Sequence, residues 1–176
     1  MFIRKNIVLI GMPGCGKTAI GRIISRVLHM TFVDVDRYIE STENKTIPEL
    51  FSVSEEHFRD IESKCAKEIA GGFNKVICTG GGIIKRESNM TNLKENSFVV
   101  FINRPIENII SDVDISTRPL LKDNKERLYN LYNDRIDLYK KYCDIEVIND
   151  KDLEYIFKKI IYEFKKGANL YEDLSN

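Results

Sequence analysis

Short apolar runs alternate along the chain with longer segments in which apolar residues recur every three or four positions. Five of these runs predict β-strands, at residues 6–10, 31–33, 76–78, 98–102 and 145–148. Short buried strands that alternate with helices are typical of a parallel sheet with helices on both faces. The pattern therefore predicts an α/β protein with three layers, α/β/α, around a five-stranded parallel sheet.

Three of the helical segments have a clearly apolar face. The first face carries Ile20, Ile23, Ile24, Val27 and Leu28. A second face carries Phe58, Ile61, Cys65 and Ile69. The last carries Leu153, Ile156, Phe157, Ile160, Ile161 and Phe164. We interpret all three faces as parts of the core rather than as ligand sites.

Two segments lack such a pattern. Residues 111–124 are polar and have no clear period, which predicts a mobile loop. We expect the C-terminal tail, from about residue 167 to residue 176, to fray. No repeat and no linker-like tract divides the 176 residues, so we expect a single domain that spans residues 1–176.

The charge balance and the cysteines exclude several classes of protein. The 27 basic and 27 acidic side chains cancel, which argues against nucleic acid or an anionic membrane surface as a partner. No apolar stretch approaches the ~20 residues of a membrane-spanning helix. The four cysteines form no CxxC pair and no metal-type spacing with the histidines, so we interpret them as reduced thiols. We therefore expect a cytoplasmic protein that acts on small molecules. We also expect a monomer.

The first predicted strand leads directly into a glycine-rich segment, Gly11-Met12-Pro13-Gly14-Cys15-Gly16-Lys17-Thr18. This segment matches the P-loop pattern G-x-x-x-x-G-K-[ST], and an amphipathic helix follows it as the pattern requires. In such a loop the backbone N–H groups face phosphate oxygens, the lysine reaches the β- and γ-phosphates, and the hydroxyl ligates Mg²⁺. The sequence therefore predicts a nucleotide site at Gly14, Cys15, Gly16, Lys17, Thr18 and Ala19.

Two carboxylates, in Asp34-Val35-Asp36, follow the second predicted strand. The carboxyl ends of parallel strands meet at the ligand crevice of such a sheet, so these residues face the P-loop. One carboxylate can serve the metal and the other a substrate hydroxyl, although such pairs are also found as solvated loop charges. The chain has neither the Asn-Lys-x-Asp motif of a GTPase nor a strand that ends in Asp-Glu as in an ATP-driven motor.

Five motifs in this order resemble the shikimate kinase family over about residues 6–165. They are the P-loop, Asp34-Val35-Asp36, Phe58-Arg59-Asp60-Ile61-Glu62, Gly80-Gly81-Gly82 and Arg118-Pro119-Leu120-Leu121, which Arg135 follows. The resemblance implies ATP-dependent phosphorylation of the 3-hydroxyl of shikimate, a step toward chorismate and the aromatic amino acids. It also implies Mg²⁺ as cofactor, ATP and shikimate as the small-molecule partners, and a P-loop kinase fold with a mobile lid.

The resemblance assigns a role to each residue on the substrate side. Arg59 and Arg135 would clamp the substrate carboxylate. Glu62 would orient Arg59, and Phe58 would support the site. The backbone of Gly80, Gly81 and Gly82 would approach the substrate ring. Without the other motifs, an ordinary surface ion pair at i and i+3 would be the favoured interpretation of Arg59 and Glu62.

The resemblance also assigns the catalytic and nucleotide-binding roles. Lys17, Asp36 and Arg118 would be catalytic, with Asp36 as the base or orienter for the attacking hydroxyl. Thr18 and Asp34 would hold Mg²⁺, and Asp34 would also support the substrate site. Arg118 would bind the phosphates as part of a lid at about residues 111–124.

The chain departs from the family pattern at three places. One is Ser111-Asp112, since family members often have an arginine a few residues before the Arg-Pro of the lid. Ser54 stands where the family usually has glycine, and the segment 51–58 is expected to form a loop that is one residue short. Asn149 follows the last strand, where the family often has an arginine. We therefore expect the adenine contacts to be weak or to come from the backbone.

Two alternative functions stay open at this point. One is a related small-molecule kinase that resembles gluconate kinase, which also has a P-loop and a carboxylated polyol substrate. The other is a nucleotide-binding module without turnover. The glycine run at residues 80–82, together with Phe58-Arg59 and Arg118-Pro119, favours shikimate over gluconate. The presence of Lys17, Thr18, Asp36 and Arg118 together favours an enzyme.

Overall fold

Five parallel strands form the centre of the molecule. The computed structural model describes residues 5–112 and 121–167, and its strands are β1 (Asn6–Ile10), β2 (Thr31–Asp34), β3 (Lys75–Cys78), β4 (Ser97–Asn103) and β5 (Ile145–Ile148). They are arranged in the order β2-β3-β1-β4-β5, and every neighbouring pair is parallel. The predicted α/β class and all five predicted strands are thereby confirmed.

Helices connect the strands. The described helices are α1 (Lys17–Val27), α2 (Val35–Glu43), α3 (Ile47–Val53), α4 (Glu55–Ala70), α5 (Glu87–Lys94), α6 (Ile106–Asp112), α7 (Leu121–Tyr142) and α8 (Leu153–Gly167). A 3₁₀ turn at Ile83–Lys85 follows β3. Within the described ranges, none of these helices combines the length and the apolarity that crossing a bilayer would need.

The core lies around β1, which is flanked by β3 and β4. All five residues of β1 are buried, because helices cover both faces of the sheet. The one polar residue in this strand, Asn6, has hydrogen-bond partners at both ends of its amide. Its Nδ2 donates to the Gly72 carbonyl at 3.1 Å, and its Oδ1 accepts from the Lys75 N–H at 3.0 Å. Because both ends of the buried amide have partners, its removal from water is compensated by hydrogen bonds.

The helix faces predicted from spacing are buried along most of their length but not at the ends. Ile20 and Ile24 of α1 are fully buried, and so are Ile156 and Ile160 of α8. Val27, the last residue of α1, is half exposed. Leu153, the first residue of α8, is exposed as well. The prediction that these two residues belong to the core is wrong, because spacing alone does not show where the covering elements end.

The predicted loop at 111–124 is wrong at both of its ends. Helix α6 continues through Asp112, whose carboxylate lies 2.6 Å from Arg104 Nη1, and α7 begins at Leu121. This ion pair, together with the buried face of Ile109 and Ile110, extends the helix into the polar segment. Residues 113–120, which include Arg118, lie outside the described residues, and so does the tail at 168–176.

The segment 51–58 is a junction of two helices rather than a loop, so that expectation is also wrong. Helix α3 begins with a capping box between Thr46 and Glu49 and ends at Val53. Ser54 alone separates it from α4, and its hydroxyl accepts a hydrogen bond from the His57 N–H at 3.0 Å. Serine is a favourable N-cap residue. At the position where the family usually has glycine, this chain therefore has a side chain that starts α4.

Gly21 allows α1 to pack closely against the sheet. A Cβ added at Gly21 would clash with Cys78 Sγ and would lie 3.2 Å from Phe32 and 3.3 Å from Leu9. We expect Gly21→Ala to lower the free energy of unfolding by about 1–3 kcal/mol, as overpacking in cores does. Urea unfolding measures this change. The double variant with Cys78→Ala should recover part of the loss, whereas Gly167→Ala, with its nearest neighbour at 3.6 Å, should be close to neutral. If Gly21→Ala unfolded at the same urea concentration as the unmodified chain, the close packing of α1 against the sheet would be contradicted.

Candidate active site

Two cavities lie where the strands of the sheet end. The smaller one has a volume of about 260 Å³ and is lined by Gly14, Gly16, Lys17, Thr18 and Ala19. The larger one has a volume of about 440 Å³. Its lining includes Pro13, Asp36, Phe51, Glu55, Phe58, Arg59, Glu62, Gly80, Gly81, Gly82, Lys85, Arg127 and Arg135. Both cavities are bordered by the P-loop, so a ligand in one is adjacent to a ligand in the other.

The smaller cavity has the features of an anion site. Gly14 and Gly16 adopt φ values of 78° and 99°, which glycine tolerates and which turn the loop tightly. Lys17 is buried, and its Nζ donates to the Gly11 and Met12 carbonyls at 2.8 Å each. Among the described residues no side chain caps α1, so its first N–H groups are available to an anion. Five of the six predicted nucleotide residues thus line one cavity, whereas Cys15 is buried outside its lining.

Two side chains outside the P-loop hold its carbonyl groups, and sequence reasoning missed this role for both. Asn149 Nδ2 donates to the Cys15 carbonyl at 2.9 Å, and Arg104 Nη1 donates to the Gly14 carbonyl at 3.2 Å. Arg104 follows β4 and Asn149 follows β5, so both lie at the edge of the sheet where a ligand is expected. Position after a strand was the signal that could have identified them. Cys15 itself is fully buried.

Thr18 and Asp34 lie side by side at the mouth of the smaller cavity. The Thr18 hydroxyl donates to Asp34 Oδ2 at 3.2 Å, and Asp34 Oδ1 accepts from the Arg37 N–H at 3.3 Å. A hydroxyl and a carboxylate are ligands that suit Mg²⁺, which takes few ligands from the protein and keeps several waters. In the part of the chain that the structure describes, no group of three His, Cys, Asp or Glu side chains is placed to hold a metal. The oxygens of Thr18 and Asp34 therefore fit Mg²⁺ rather than a metal that needs a full protein shell.

Asp36 points into the larger cavity near the P-loop. Burial raises the pKa of its carboxyl group, and the negative charge of Asp34 raises it further. The positive charges of Lys17 and Arg59 oppose this rise in the pKa. A carboxylate whose proton affinity is increased, and which borders a nucleotide site, is well suited to accept a proton from a substrate hydroxyl.

Arg59 and Glu62 form a buried ion pair on α4. Arg59 is 7% exposed and Glu62 is 1% exposed, and Arg59 Nη1 lies 2.6 Å from Glu62 Oε2. Burial raises the pKa of the Glu62 carboxyl, and the Arg59 guanidinium opposes that rise. The alternative that this is an ordinary surface pair is therefore wrong. One bond to Glu62 leaves other N–H donors of the guanidinium available to a ligand in the cavity.

Aromatic rings support Arg59 from one side. The rings of Phe51 and Phe58 stack with their centroids 4.1 Å apart. The guanidinium carbon of Arg59 lies 5.0 Å from the centroid of Phe58 and 5.6 Å from that of Phe51. Contacts of this kind restrict the guanidinium as well as attract it. Phe58 therefore holds Arg59 in place at the cavity, and Phe51 adds a second ring that sequence reasoning did not identify.

The glycine run at residues 80–82 lets three functional side chains approach the backbone. A Cβ added at Gly80 would lie 2.8 Å from Asp36 Oδ1. One at Gly81 would lie 2.7 Å from Pro13 and 3.3 Å from Arg135 Nη1. One at Gly82 would overlap the Arg59 guanidinium. The run thus makes room for Asp36 at Gly80, for Pro13 and Arg135 at Gly81, and for Arg59 at Gly82.

Arg135 reaches the same cavity from α7. Its Nη1 donates to the Gly81 carbonyl at 3.0 Å, and its side chain is half-buried. Two guanidinium groups, from α4 and α7, therefore lie next to adjacent glycines of one run.

Sequence reasoning missed three further charged residues that line this cavity, Glu55, Lys85 and Arg127. Lys85 Nζ bonds Glu55 Oε1 at 2.6 Å.

The chain is similar to known proteins over most of its length. A family model described as shikimate kinase matches residues 13–165. A shikimate kinase from Clostridium botulinum (strain Alaska E43 / Type E3) is 50% identical over 158 residues, which cover 90% of this chain and 96% of that protein. One from Clostridium beijerinckii is 46% identical over 158 residues, which cover 90% of this chain and 94% of that protein.

Solved structures agree with this likeness. A shikimate kinase from Acinetobacter baumannii in complex with shikimate has a TM-score of 0.84 at 28% identity, covering 96% of both chains. The enzyme from Aquifex aeolicus has a TM-score of 0.81 at 34% identity, covering 93% of this chain and 98% of that chain. A gluconokinase from Sinorhizobium meliloti, at a TM-score of 0.62 and 13% identity over the full length of both chains, is similar in fold alone. The chain therefore belongs to the shikimate kinase family.

Proposed function

We propose that the protein transfers the γ-phosphate of ATP to the 3-hydroxyl of shikimate, with ATP in the smaller cavity and shikimate in the larger one. The observation that carries this proposal is the pair of guanidinium groups, Arg59 and Arg135, which lie beside Asp36 in a cavity that borders the P-loop. A carboxylated ring with hydroxyl groups needs both features, a clamp for the carboxylate and an acceptor for a hydroxyl proton.

On the substrate side, Arg59 and Arg135 bind the carboxylate and so orient the ring. Glu62 and the rings of Phe51 and Phe58 hold Arg59 in position before the substrate arrives. Asp36 accepts the proton of the attacking hydroxyl, and its raised pKa favours that transfer. Preorganised charges of this kind lower the barrier because they need no rearrangement during the reaction.

On the nucleotide side, Lys17 and the first N–H groups of α1 neutralise the charge of the phosphates. Thr18 and Asp34 would hold Mg²⁺, which when bound supplies further positive charge at the phosphate oxygens. The lid role of Arg118 stays a prediction, since that residue lies outside the described residues. The cytoplasmic location and the monomeric state also stay predictions.

A coupled assay of ADP formation tests the proposed activity. The protein is incubated with ATP and Mg²⁺ and with shikimate, gluconate or quinate in turn. We expect turnover with shikimate and little with the other two acids. Turnover with gluconate alone would favour the gluconate-kinase hypothesis. Nucleotide binding without turnover on any of the three would favour a binding module, which the buried Arg59–Glu62 pair and the raised pKa of Asp36 argue against.

The two arginines are expected to recognise the substrate carboxylate and not the nucleotide. Charge-assisted hydrogen bonds are worth about 1.5–3 kcal/mol each, and a lysine cannot reproduce the fork geometry of a guanidinium. We therefore expect Arg59→Lys and Arg135→Ala each to raise the KM for shikimate about tenfold or more. The KM for ATP should change less than about twofold. Steady-state kinetics with each substrate varied in turn measure both constants.

An analogue without the carboxylate serves as the internal control for this prediction. It should be a poor substrate for the unmodified chain and should lose little more in either variant. Arg86→Lys is a matched surface control, because Arg86 pairs with Glu56 and Asp60 away from the cavity. If the arginine variants lost as much activity toward the analogue as toward shikimate, the arginines would not bind the carboxylate.

A further inference from the structure

Tyr139 donates a hydrogen bond into the glycine run from a fully buried position. Its hydroxyl donates to the Gly81 carbonyl at 2.6 Å, and its exposed fraction is 0%. Its ring stacks on Phe101 of β4, with the centroids 5.0 Å apart and the planes 18° apart. The hydroxyl also lies 4.0 Å from the Met12 sulfur in the P-loop. Packing against the sheet thus fixes the ring, and the hydroxyl reaches the border between the two cavities.

Tyr139 and Arg135 share one acceptor. They are four residues apart on α7 and therefore lie on one face of that helix. Arg135 Nη1 donates to the Gly81 carbonyl at 3.0 Å, and the Tyr139 hydroxyl uses the other lone pair of the same oxygen. A carbonyl oxygen with two donors from one helix is turned toward that helix. Because the peptide between Gly81 and Gly82 is trans, the Gly82 N–H points the opposite way, away from α7.

We propose that Tyr139 is a positioning residue for the substrate site. Its hydroxyl holds the Gly81 carbonyl and thereby sets the orientation of the Arg135 guanidinium. This inference rests on the proposed function, in which Arg135 binds the substrate carboxylate. The hydroxyl itself lies outside the lining of the larger cavity and acts through Gly81.

The chemistry of the phenol suits this role. Burial raises the pKa of Tyr139 to about 12, so the hydroxyl keeps its proton and acts as a donor near neutral pH. Without this donor, the Gly81 carbonyl would have Arg135 as its remaining side-chain partner and would turn more freely. Arg135 would then meet its ligand from a wider range of orientations, which weakens binding because more freedom is lost when the ligand binds.

Tyr139→Phe tests the proposal because it removes the hydroxyl and keeps the ring that stacks on Phe101. We expect the KM for shikimate to rise about fivefold, as the loss of one buried neutral hydrogen bond implies. The kcat and the KM for ATP should each stay within about twofold of the unmodified chain. Tyr142→Phe, another buried tyrosine of α7, is the matched control and should leave all three constants unchanged.

A double-mutant cycle with Arg135→Ala separates positioning from general support of the fold. If Tyr139 acts through Arg135, Tyr139→Phe should change the KM for shikimate less than about twofold once Arg135 is absent. An undiminished effect in that background, or an equal rise of the KM for ATP, would overturn the inference and indicate a structural role. So would an unchanged KM for shikimate in the single variant. Calorimetry of shikimate binding to the unmodified chain keeps the two claims apart: no binding there would overturn the proposed function, and the inference with it.

Discussion

Lys17→Met should abolish turnover while the fold survives. The Lys17 ammonium is buried beside the smaller cavity, and it is the group there that can meet the β- and γ-phosphates as a point charge. Loss of a single group that stabilises transition-state charge costs about 10²–10³ in kcat, and we expect a loss at or above that range. ADP formation with shikimate measures the activity, and circular dichroism measures the fold.

Lys75→Met is a closely matched control for Lys17→Met. In the unliganded protein, Lys17 Nζ also donates to the Gly11 and Met12 carbonyls, so its removal leaves two buried acceptors without that donor. Lys75 Nζ likewise donates to two carbonyls, those of Ile69 and Gly71, and Lys75 lines neither of the two cavities. We expect both variants to lose stability and only Lys17→Met to lose catalysis. Full activity of Lys17→Met with an intact fold would refute the phosphate-binding role.

Asp36→Asn should lower kcat by about 10²–10⁴, the range expected for loss of a general base. The amide keeps the shape of the carboxyl group but has neither its charge nor its basicity. Because Asp36 belongs to the larger cavity, nucleotide binding should stay close to normal. Calorimetry with ATP measures this, and Asp60→Asn, a change at an exposed carboxylate of α4, serves as control. If Asp36→Asn lost ATP binding instead, Asp36 would belong to the nucleotide site.

The same substitution should raise stability near neutral pH. Burial raises the pKa of Asp36 in the folded protein above its usual value of 3.8, so the charged form is disfavoured there relative to the unfolded chain. The protonated Asp36 carboxyl therefore contributes to the free energy of unfolding. This contribution is fully present when the pH is below the usual pKa of the carboxyl and is lost as the pH rises through the folded-state pKa. The neutral amide of Asp36→Asn avoids this loss. A thermal melt should therefore show a higher Tm for the variant at pH 7, and a difference that shrinks at acidic pH.

The pH dependence of the rate gives an independent measurement. The unmodified enzyme should lose kcat as the pH falls through the raised pKa of Asp36, because the protonated carboxyl group cannot accept the hydroxyl proton. This loss of kcat at acidic pH should be absent from the residual activity of Asp36→Asn. If both proteins lost kcat over the same acidic pH range, the group that titrates there would not be Asp36.

Local pattern was enough for the strands and for the P-loop. A short apolar run such as Ile7-Val8-Leu9-Ile10, followed at once by glycine, is typical of a strand buried on both faces, and the structure places all four residues in the core. The glycines and Lys17 of the P-loop are neighbours in sequence, so their spacing already contains most of their geometry. The same holds for Arg59 and Glu62, which a single helical turn brings together.

The apolar pattern did not show how much of each helix is buried by neighbouring elements. Val27 and Leu153 continue apolar stripes but are exposed, and Ser111 and Asp112 are polar but helical. Whether such a residue is buried or helical depends on a partner that is distant in sequence or on an ion pair such as Arg104–Asp112. Spacing along one helix carries no information about these partners.

Residue pattern was sufficient to predict the fold class, the phosphate-binding loop and, through resemblance, the residues proposed to meet the substrate. The residues that hold those groups in place became visible from contacts between distant segments. Tyr139 and Gly81 are 58 positions apart, and Asn149 and Cys15 are 134 positions apart, yet each pair shares a hydrogen bond. Nothing local marks such a pair, since an isolated tyrosine or asparagine is common on any helix or loop. Asn149 reaches Cys15 because both follow parallel strands, which end at one edge of the sheet. Tyr139 reaches Gly81 because its ring packs against Phe101 of β4 and carries the hydroxyl toward the glycine run.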